Sequence, residues 1–86
     1  MTIYIDELRH YGKLWWCHMA TDSSDLSELH AMAVEIGLKR TWFQEHRRVP
    51  HYDLTSNKRE LALSCGAVEV KAKELFVECS RRDGNE

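Results

Sequence analysis

The stretch Leu14–Leu38, LWWCHMATDSSDLSELHAMAVEIGL, places a strand pattern directly before a helix pattern and thereby decides the fold. Residues 14–20 are apolar on both faces, which is typical of a strand in the middle of a sheet. Helix-capping residues follow, and apolar side chains then recur at helical spacing. We expect a helix over residues 23–36 that ends at a left-handed Gly37. A buried strand followed by an amphipathic helix predicts helices packed on a sheet.

The flanking segments extend this pattern in both directions. They comprise a predicted strand at 2–6, a strand at 39–44, a helix at 56–64 and a strand at 67–70. Residues 71–79 could extend that last strand or form a helix, and we expect the helix because Ala72, Lys73 and Glu74 favour one. The resulting order, ββαβαβα, predicts an α/β (α+β) fold, with a small mixed sheet of three to four strands and two to three helices. Because 86 residues are too few for two domains, we expect residues 1–80 to form one compact domain and residues 81–86 a flexible tail.

Composition excludes several classes of protein. With 43% hydrophobic and 30% charged residues, the chain is neither a disordered tail nor a collagen-like repeat nor a coiled coil. No apolar run approaches the roughly 20 residues that cross a bilayer, and the first ten residues do not resemble a signal peptide. The three cysteines form no C-x-x-C pair, which argues against a disulfide framework. We therefore expect a cytoplasmic protein with no membrane partner.

The net charge of −2 conceals a basic middle of the chain. From Lys39 to Arg59 there are six basic residues and two acidic ones, a net charge of +4, so the rest of the chain carries −6. A concentrated positive charge attracts anionic partners, whereas the whole molecule does not. This segment favours a phosphate-bearing ligand, such as a nucleotide or nucleic acid.

Four polar side chains are candidates for catalysis. His51 and Asp53 lie two residues apart in an extended segment, so both project to one face. His18 lies near the end of a strand, where ligands of open α/β sheets bind. His30, on the first helix, can meet His18 only if strand and helix pack back to back. An imidazole beside a carboxylate suits acid–base or metal chemistry.

Further polar residues are candidates for ligand binding. Lys58 and Arg59 lie in the first turn of the second helix, whose free N–H groups attract anions. The complete candidate ligand-binding set is Asp22, Lys58, Arg59, Arg47 and Arg48. Each of these also has a structural interpretation, since Asp22 could cap a helix and the arginines could form a solvated face.

Cofactor chemistry is only partly constrained. The chain has no glycine-rich phosphate loop, which argues against Walker and dinucleotide-binding motifs. Its histidines are widely spaced, so any site for a divalent metal would have to be assembled by tertiary structure. Metal binding therefore stays open.

Several motifs together resemble a family of small bacterial and bacteriophage proteins classed as a domain of unknown function. They are M-x-x-Y-x-D from Met1, W-x-H-M-x-x-D from Trp16, L-H-x-x-A-x-x-I-G-L from Leu29, R-x-W-F-Q from Arg40, H-Y-D-L from His51 and K-R-x-x-A-x-x-x-G-A from Lys58. The resemblance covers nearly the whole chain. It implies a bacterial or prophage context, and it favours one shared site for the candidate histidines, aspartates, lysine and arginine.

Two functional hypotheses remain open at this point. The first is a site that binds a nucleotide, nucleic acid or other phosphate-bearing ligand, either without catalysis or as an enzyme that acts on a phosphate ester. The second is a non-catalytic interaction module, such as a phage factor that docks on a host protein through exposed tryptophans. Whether the protein is an enzyme is thus undecided, and a core this small makes a homodimer plausible.

Overall fold

The computed structural model describes residues 2–81. Its elements, in chain order, are β1 (Ile3–Ile5), β2 (Arg9–Tyr11), β3 (Leu14–Thr21), α1 (Ser27–Glu35), a 3-10 helix (Arg40–Trp42), β4 (Tyr52–Thr55), α2 (Ser56–Ser64), β5 (Val68–Glu69) and α3 (Ala72–Ser80). The three α-helices have nine residues each, and no described helix is long and apolar enough to cross a membrane.

The strands form one five-stranded mixed sheet around β3. Strands β1 and β2 pair antiparallel with opposite halves of β3 along one of its edges, and β4 pairs antiparallel along the other. Strand β5 adds to β1 in parallel. The mixed sheet with three helices confirms the predicted α+β class, although it has five strands where three to four were predicted.

A bulge separates β1 from β2. Ile5 pairs with Met19, and Arg9 pairs with Trp16. The chain therefore advances four residues from β1 to β2 while it advances only three along the facing part of β3. One extra residue therefore lies between Ile5 and Arg9. Such bulges redirect side chains next to functional sites. Here the bulge begins at Asp6, whose backbone N–H still donates to the His18 carbonyl.

The two faces of the sheet are covered differently. One face packs against α1 and α2, and buries Ile5, Met19 and Leu54 together with Leu29 and Ala62 of the helices. On the other face, α3 covers Ala20 through Leu75 and Cys79. The part of this second face around His18 and Asp53 stays accessible, with side chains 44% and 41% exposed.

The predicted strand at 39–44 is wrong. Residues Arg40–Trp42 form a 3-10 turn instead, in which Trp42 N–H donates to the Lys39 carbonyl. The aromatic and β-branched residues here would favour a strand only beside a partner with free backbone groups. In this segment only Gln44 pairs with another extended residue, His51, in an isolated β-bridge.

The predicted start of the first helix at Ser23 is also wrong, because α1 begins at Ser27. Side chains of the preceding residues bind backbone N–H groups two positions onward, as Thr21 does for Ser23, Ser23 for Asp25 and Asp25 for Ser27. These local bonds compete with helix formation. The predicted end is confirmed, since Gly37 has φ +88° and Leu38 N–H donates to the Ala33 carbonyl.

The remaining differences concern β2 and the chain end. Strand β2 was not predicted because Arg9–Tyr11 is exposed throughout and carries no hydrophobic alternation. The predicted helices at 56–64 and 71–79 are confirmed as α2 and α3. Of the expected flexible tail at 81–86, residues 82–86 lie outside the described residues.

Candidate functional site

The side chains of His18, His51 and Asp53 converge on the accessible face of the sheet. One ligand atom from each lies within 4.8 Å of the other two. His51 Nε2 lies 3.5 Å from Asp53 Oδ1, and His18 Nε2 lies 4.0 Å from the same oxygen. The two imidazole rings meet edge to face at 5.0 Å. We call this group the His18–His51–Asp53 centre.

Strand register brings the centre together. His18 on β3 pairs directly with Asp53 on β4, so the two side chains stand side by side on one face. His51 precedes Asp53 by two residues and projects to the same face, whereas Tyr52 between them is fully buried on the other. The sequence spacing of His51 and Asp53 thus has the consequence expected of an extended segment.

Asp6 holds the His18 ring in place. Its carboxylate is almost completely buried and accepts two hydrogen bonds, from His18 N–H at 2.6 Å and from His18 Nδ1 at 2.8 Å. The hydrogen bond to Asp6 is the largest cause that raises the pKa of His18 above its ordinary value of 6.5. With the proton held on Nδ1, neutral His18 presents the Nε2 lone pair to Asp53.

His51 is oriented in the same way by the backbone. Its Nδ1 donates to the Val49 carbonyl at 2.7 Å, which places the lone pair of neutral His51 on Nε2. Both imidazoles therefore have Nδ1 anchored to an oxygen and Nε2 directed to one carboxylate. Histidines that bind metal ions carry this anchoring almost without exception.

Arg9 supplies the positive charge beside the centre. It lines a cavity of about 450 Å³ with Trp16, His18 and Asp53, and a second cavity of about 310 Å³ with His18 and His51. Both cavities are also lined by His18. The exposed Arg9 guanidinium can therefore bind an anion in either of them.

Two residues at the centre, Asp6 and Arg9, were not predicted from the sequence. Asp6 belongs to the M-x-x-Y-x-D motif, which was the one available signal for it. Its contact with His18 depends on the antiparallel pairing of β1 with β3, which no local pattern reveals. Arg9 lies on β2, for which the sequence carries no strand pattern.

His30 lies on the opposite face of the sheet from the centre. Its Nδ1 is 2.8 Å from the Tyr52 hydroxyl, and its ring packs edge to face on Phe43 at 4.7 Å. Asp22 accepts a hydrogen bond from Thr2 N–H at 2.8 Å and does not cap α1. The structure therefore brings neither residue to the centre.

The basic candidates are also dispersed. Lys58 Nζ donates to the Ile36 carbonyl at the end of α1 at 2.9 Å. Arg59 is buried, donating to the Asp6 carbonyl at 3.1 Å and forming an ion pair with Glu69 at 2.7 Å. Arg48 lies 5.8 Å from the centroid of the Phe76 ring, and Arg47 is exposed. Only Arg59 supports the centre, through the backbone of Asp6.

The stability of the protein should depend on pH through His30. Burial, with a smaller contribution from Arg40, lowers the pKa of His30 below its ordinary value of 6.5. The unfolded chain therefore takes up the proton at higher pH than the folded chain. The contribution of neutral His30 to stability is fully present above about pH 6.5 and is lost as pH falls from there through the lower pKa of the folded chain. We expect urea denaturation to show a smaller decrease in unfolding free energy between about pH 7.5 and pH 5.5 for His30→Asn than for wild type.

The asparagine in this comparison can still hydrogen-bond the Tyr52 hydroxyl, but it does not titrate. The raised pKa of His18 makes stability change with pH in the opposite direction. Both proteins contain His18, so its effect cancels when their unfolding free energies are subtracted. Parallel pH curves for the two proteins would contradict the assignment.

Comparison with known proteins places the chain in a family. The family model described as Protein of unknown function (DUF4031) matches residues 3–82, nearly the whole chain, so the protein belongs to this family. This confirms the resemblance to a domain of unknown function. No curated protein and no solved structure matches the chain.

Proposed function

We propose that this member of the DUF4031 family binds a divalent transition-metal ion, Zn²⁺ foremost, at the His18–His51–Asp53 centre and hydrolyses a phosphate ester there. One observation carries the proposal: two imidazole Nε2 atoms and a carboxylate oxygen converge within 4.8 Å. The anchoring of both Nδ1 atoms leaves these nitrogens available as ligands.

The ligand set suits a catalytic metal. Catalytic zinc sites have three protein ligands, often two histidines and a carboxylate, and leave a fourth position for water or substrate. Bonds of 2.0–2.1 Å in a tetrahedron separate the ligand atoms by about 3.3 Å. The separations of 3.5 and 4.0 Å from Asp53 Oδ1 are close to this value. The ligand atoms of the two histidines lie within 4.8 Å of each other, so these two side chains must move closer together to bind one ion. The accessible position of His18 and Asp53 leaves room for the fourth ligand.

The surrounding charge favours a phosphate ester as substrate. Arg9 lines the cavities on both sides of His18 and can donate paired hydrogen bonds to phosphoryl oxygens. Under this proposal Lys58 and Arg59 have structural roles, because each donates to a backbone carbonyl.

Hydrolysis requires a nucleophile, and under this proposal the nucleophile is water. A metal ion held by His18, His51 and Asp53 would lower the pKa of a water molecule, which is the chemistry the metal would supply. The water oxygen bonds to phosphorus, the ester P–O bond breaks, and a proton from the water ends on the leaving alcohol oxygen. Cys17 is unsuited to the task, because burial raises the pKa of its thiol to about 12 and keeps it protonated at neutral pH.

Turnover assays on metal-stripped protein test the proposal. We expect hydrolysis of p-nitrophenyl phosphate or bis(p-nitrophenyl) phosphate only after Zn²⁺, Mn²⁺ or Co²⁺ is added. Arg9→Gln should raise KM roughly tenfold by removing a charge-assisted contact, without altering Zn²⁺ affinity.

The matched control is Arg47→Gln, since Arg47 is also exposed but lines neither cavity beside His18. Its KM should equal that of wild type. Turnover that survives chelation, or the lack of turnover of either ester with every metal, would refute the hydrolytic function.

A second candidate, the interaction module, has its own support. Tyr11, Leu14 and Trp15 are exposed by 80%, 51% and 53% at the end of the β2–β3 hairpin. Exposed aromatic and aliphatic side chains in one patch are typical of protein interfaces. This candidate takes precedence if the protein binds neither metal nor phosphate ester.

A further inference from the structure

A third cavity, of about 470 Å³, adjoins the His18–His51–Asp53 centre at Asp53. Its walls include Trp16 and Trp42, and Asp53 is shared with the cavity that His18 lines. We call it the Trp42 cavity. Substrate bound at the centre therefore has this space directly beside it.

The Trp42 cavity has the chemistry of a nucleobase site. Two indole rings offer flat apolar surfaces, on which any base can stack. Three residues with hydrogen-bonding side chains also line the cavity, namely Thr41, Gln44 and Thr55. Apolar walls with a few placed polar groups characterise small-molecule sites, and a base needs both.

Strand geometry sets the distance between the cavity and the centre. Trp16 precedes His18 by two residues on β3, and Thr55 follows Asp53 by two on β4. Trp16 and Thr55 are paired, as are His18 and Asp53. The two pairs therefore share one face about 7 Å apart. A sugar bridges a separation of this order between its base and its 5′-phosphate.

The position of Trp42 supports a binding role. Its side chain is 48% exposed, although it belongs to a short 3-10 turn whose backbone is fixed by the bond to the Lys39 carbonyl. The Lys39 ammonium lies 5.7 Å from the centroid of the ring. Lys58 also lines the cavity, and its ammonium donates to the Ile36 carbonyl.

We propose that the Trp42 cavity binds the base of a nucleotide whose phosphate lies at the His18–His51–Asp53 centre. This inference rests on the proposed function for the location of the phosphate, and it names the substrate class as nucleotides, either free or within a single strand. Affinity for the base comes from stacking on Trp16 and Trp42, and affinity for the phosphate comes from the centre and Arg9.

Calorimetric titrations of the metal-free protein test the inference, because without a metal ion the phosphate esters are not hydrolysed during the titration. The ligands are the four ribonucleoside 5′-monophosphates and ribose 5-phosphate, which has the same sugar and phosphate but no base. At least one nucleotide should bind about tenfold more tightly than ribose 5-phosphate, the range expected for one stacked base. Trp42→Ala should abolish that preference and leave the affinity for ribose 5-phosphate unchanged.

The matched control is Trp15→Ala, which removes an equally exposed tryptophan outside the cavity. It should keep the wild-type preference. If no nucleotide binds more tightly than ribose 5-phosphate, or if Trp15→Ala and Trp42→Ala reduce the preference alike, the cavity is not a base site.

The same experiment separates this inference from the proposed function. Zn²⁺ titration of the wild type tests the centre, and titration of nucleotides against metal-free protein tests the cavity. Zinc binding without a base preference overturns the base site alone, whereas a base preference without zinc binding overturns the metal centre alone. A short single-stranded oligonucleotide, run in parallel, identifies the source: tighter binding than any mononucleotide indicates a strand, and equal binding indicates free nucleotides.

Discussion

Replacing His51 with alanine is expected to weaken Zn²⁺ binding by at least about 100-fold. Loss of an outer-shell partner alone costs 10- to 100-fold in metal affinity, and loss of a direct ligand should cost more. His51 supplies one of three ligand atoms at the centre, so the variant retains only His18 and Asp53. Competition titration with a chromophoric chelator measures the affinity over this range.

Two further variants make the result interpretable. His51 Nδ1 also donates a hydrogen bond to the Val49 carbonyl, so His51→Ala could disturb the loop before β4. Asp53→Asn avoids that difficulty, since Asp53 is 41% exposed and the amide preserves its shape. It should lose zinc affinity to a similar extent while its melting temperature stays within a few degrees of wild type. His10→Ala, which removes an exposed histidine from β2, is the control and should bind zinc normally.

If zinc binds His51→Ala and Asp53→Asn as tightly as it binds wild type, the centre is not a metal site. Equal losses in all three variants would instead indicate nonspecific binding to surface histidines. Loss confined to the two variants of the centre is the outcome that the geometry predicts.

Local sequence patterns predicted the parts of the centre that depend on one strand. The two-residue spacing of His51 and Asp53 is sufficient to place them on one face of an extended segment. Their meeting with His18 depends on the register of β3 against β4, which joins residues 35 positions apart for the pair His18 and Asp53. The sequence nominated all three residues, but it could not distinguish them from His30, which the intervening sheet separates from the centre.

Long-range pairing also explains the errors in the predicted elements. The helices predicted at 56–64 and 71–79 form, as Ser56–Ser64 and Ala72–Ser80, because helical propensity and spacing are local properties. Residues 39–44 have strand propensity but pair only at Gln44, so a 3-10 turn forms instead. Conversely, Arg9–Tyr11 lacks a strand pattern and becomes β2 because the hairpin at Gly12 holds it against Leu14–Trp16.

Replacing Asp6 with asparagine is expected to weaken Zn²⁺ binding by about 10- to 100-fold without removing any ligand. Asp6 accepts two hydrogen bonds from His18, one from the backbone N–H and one from Nδ1. Asparagine has one oxygen and one NH₂ group, so it can accept only one of the two. If the asparagine oxygen accepts from the His18 backbone N–H, the NH₂ group faces His18 Nδ1. It then favours the His18 tautomer with the proton on Nε2. That proton occupies the lone pair that the metal needs. In the opposite orientation the NH₂ group faces the backbone N–H, and a buried donor is left unpaired.

The tautomer itself provides the decisive readout for Asp6→Asn. Nitrogen NMR shifts of the His18 ring should report a proton on Nδ1 in wild type and on Nε2 in the variant at a pH where the ring is neutral. Because a hydrogen bond to Asp6 raises the pKa of His18, His18 of the variant should also titrate at lower pH than His18 of wild type.

Asp22→Asn is the matched control, since Asp22 accepts a single backbone hydrogen bond from Thr2 and lies outside the centre. A purely structural role for Asp6 would lower the melting temperature without changing the tautomer. Normal zinc affinity in a folded Asp6→Asn protein would show that His18 is not oriented for the metal by Asp6. The buried carboxylate beside the bulge therefore connects the irregular backbone between β1 and β2 to the chemistry of the centre.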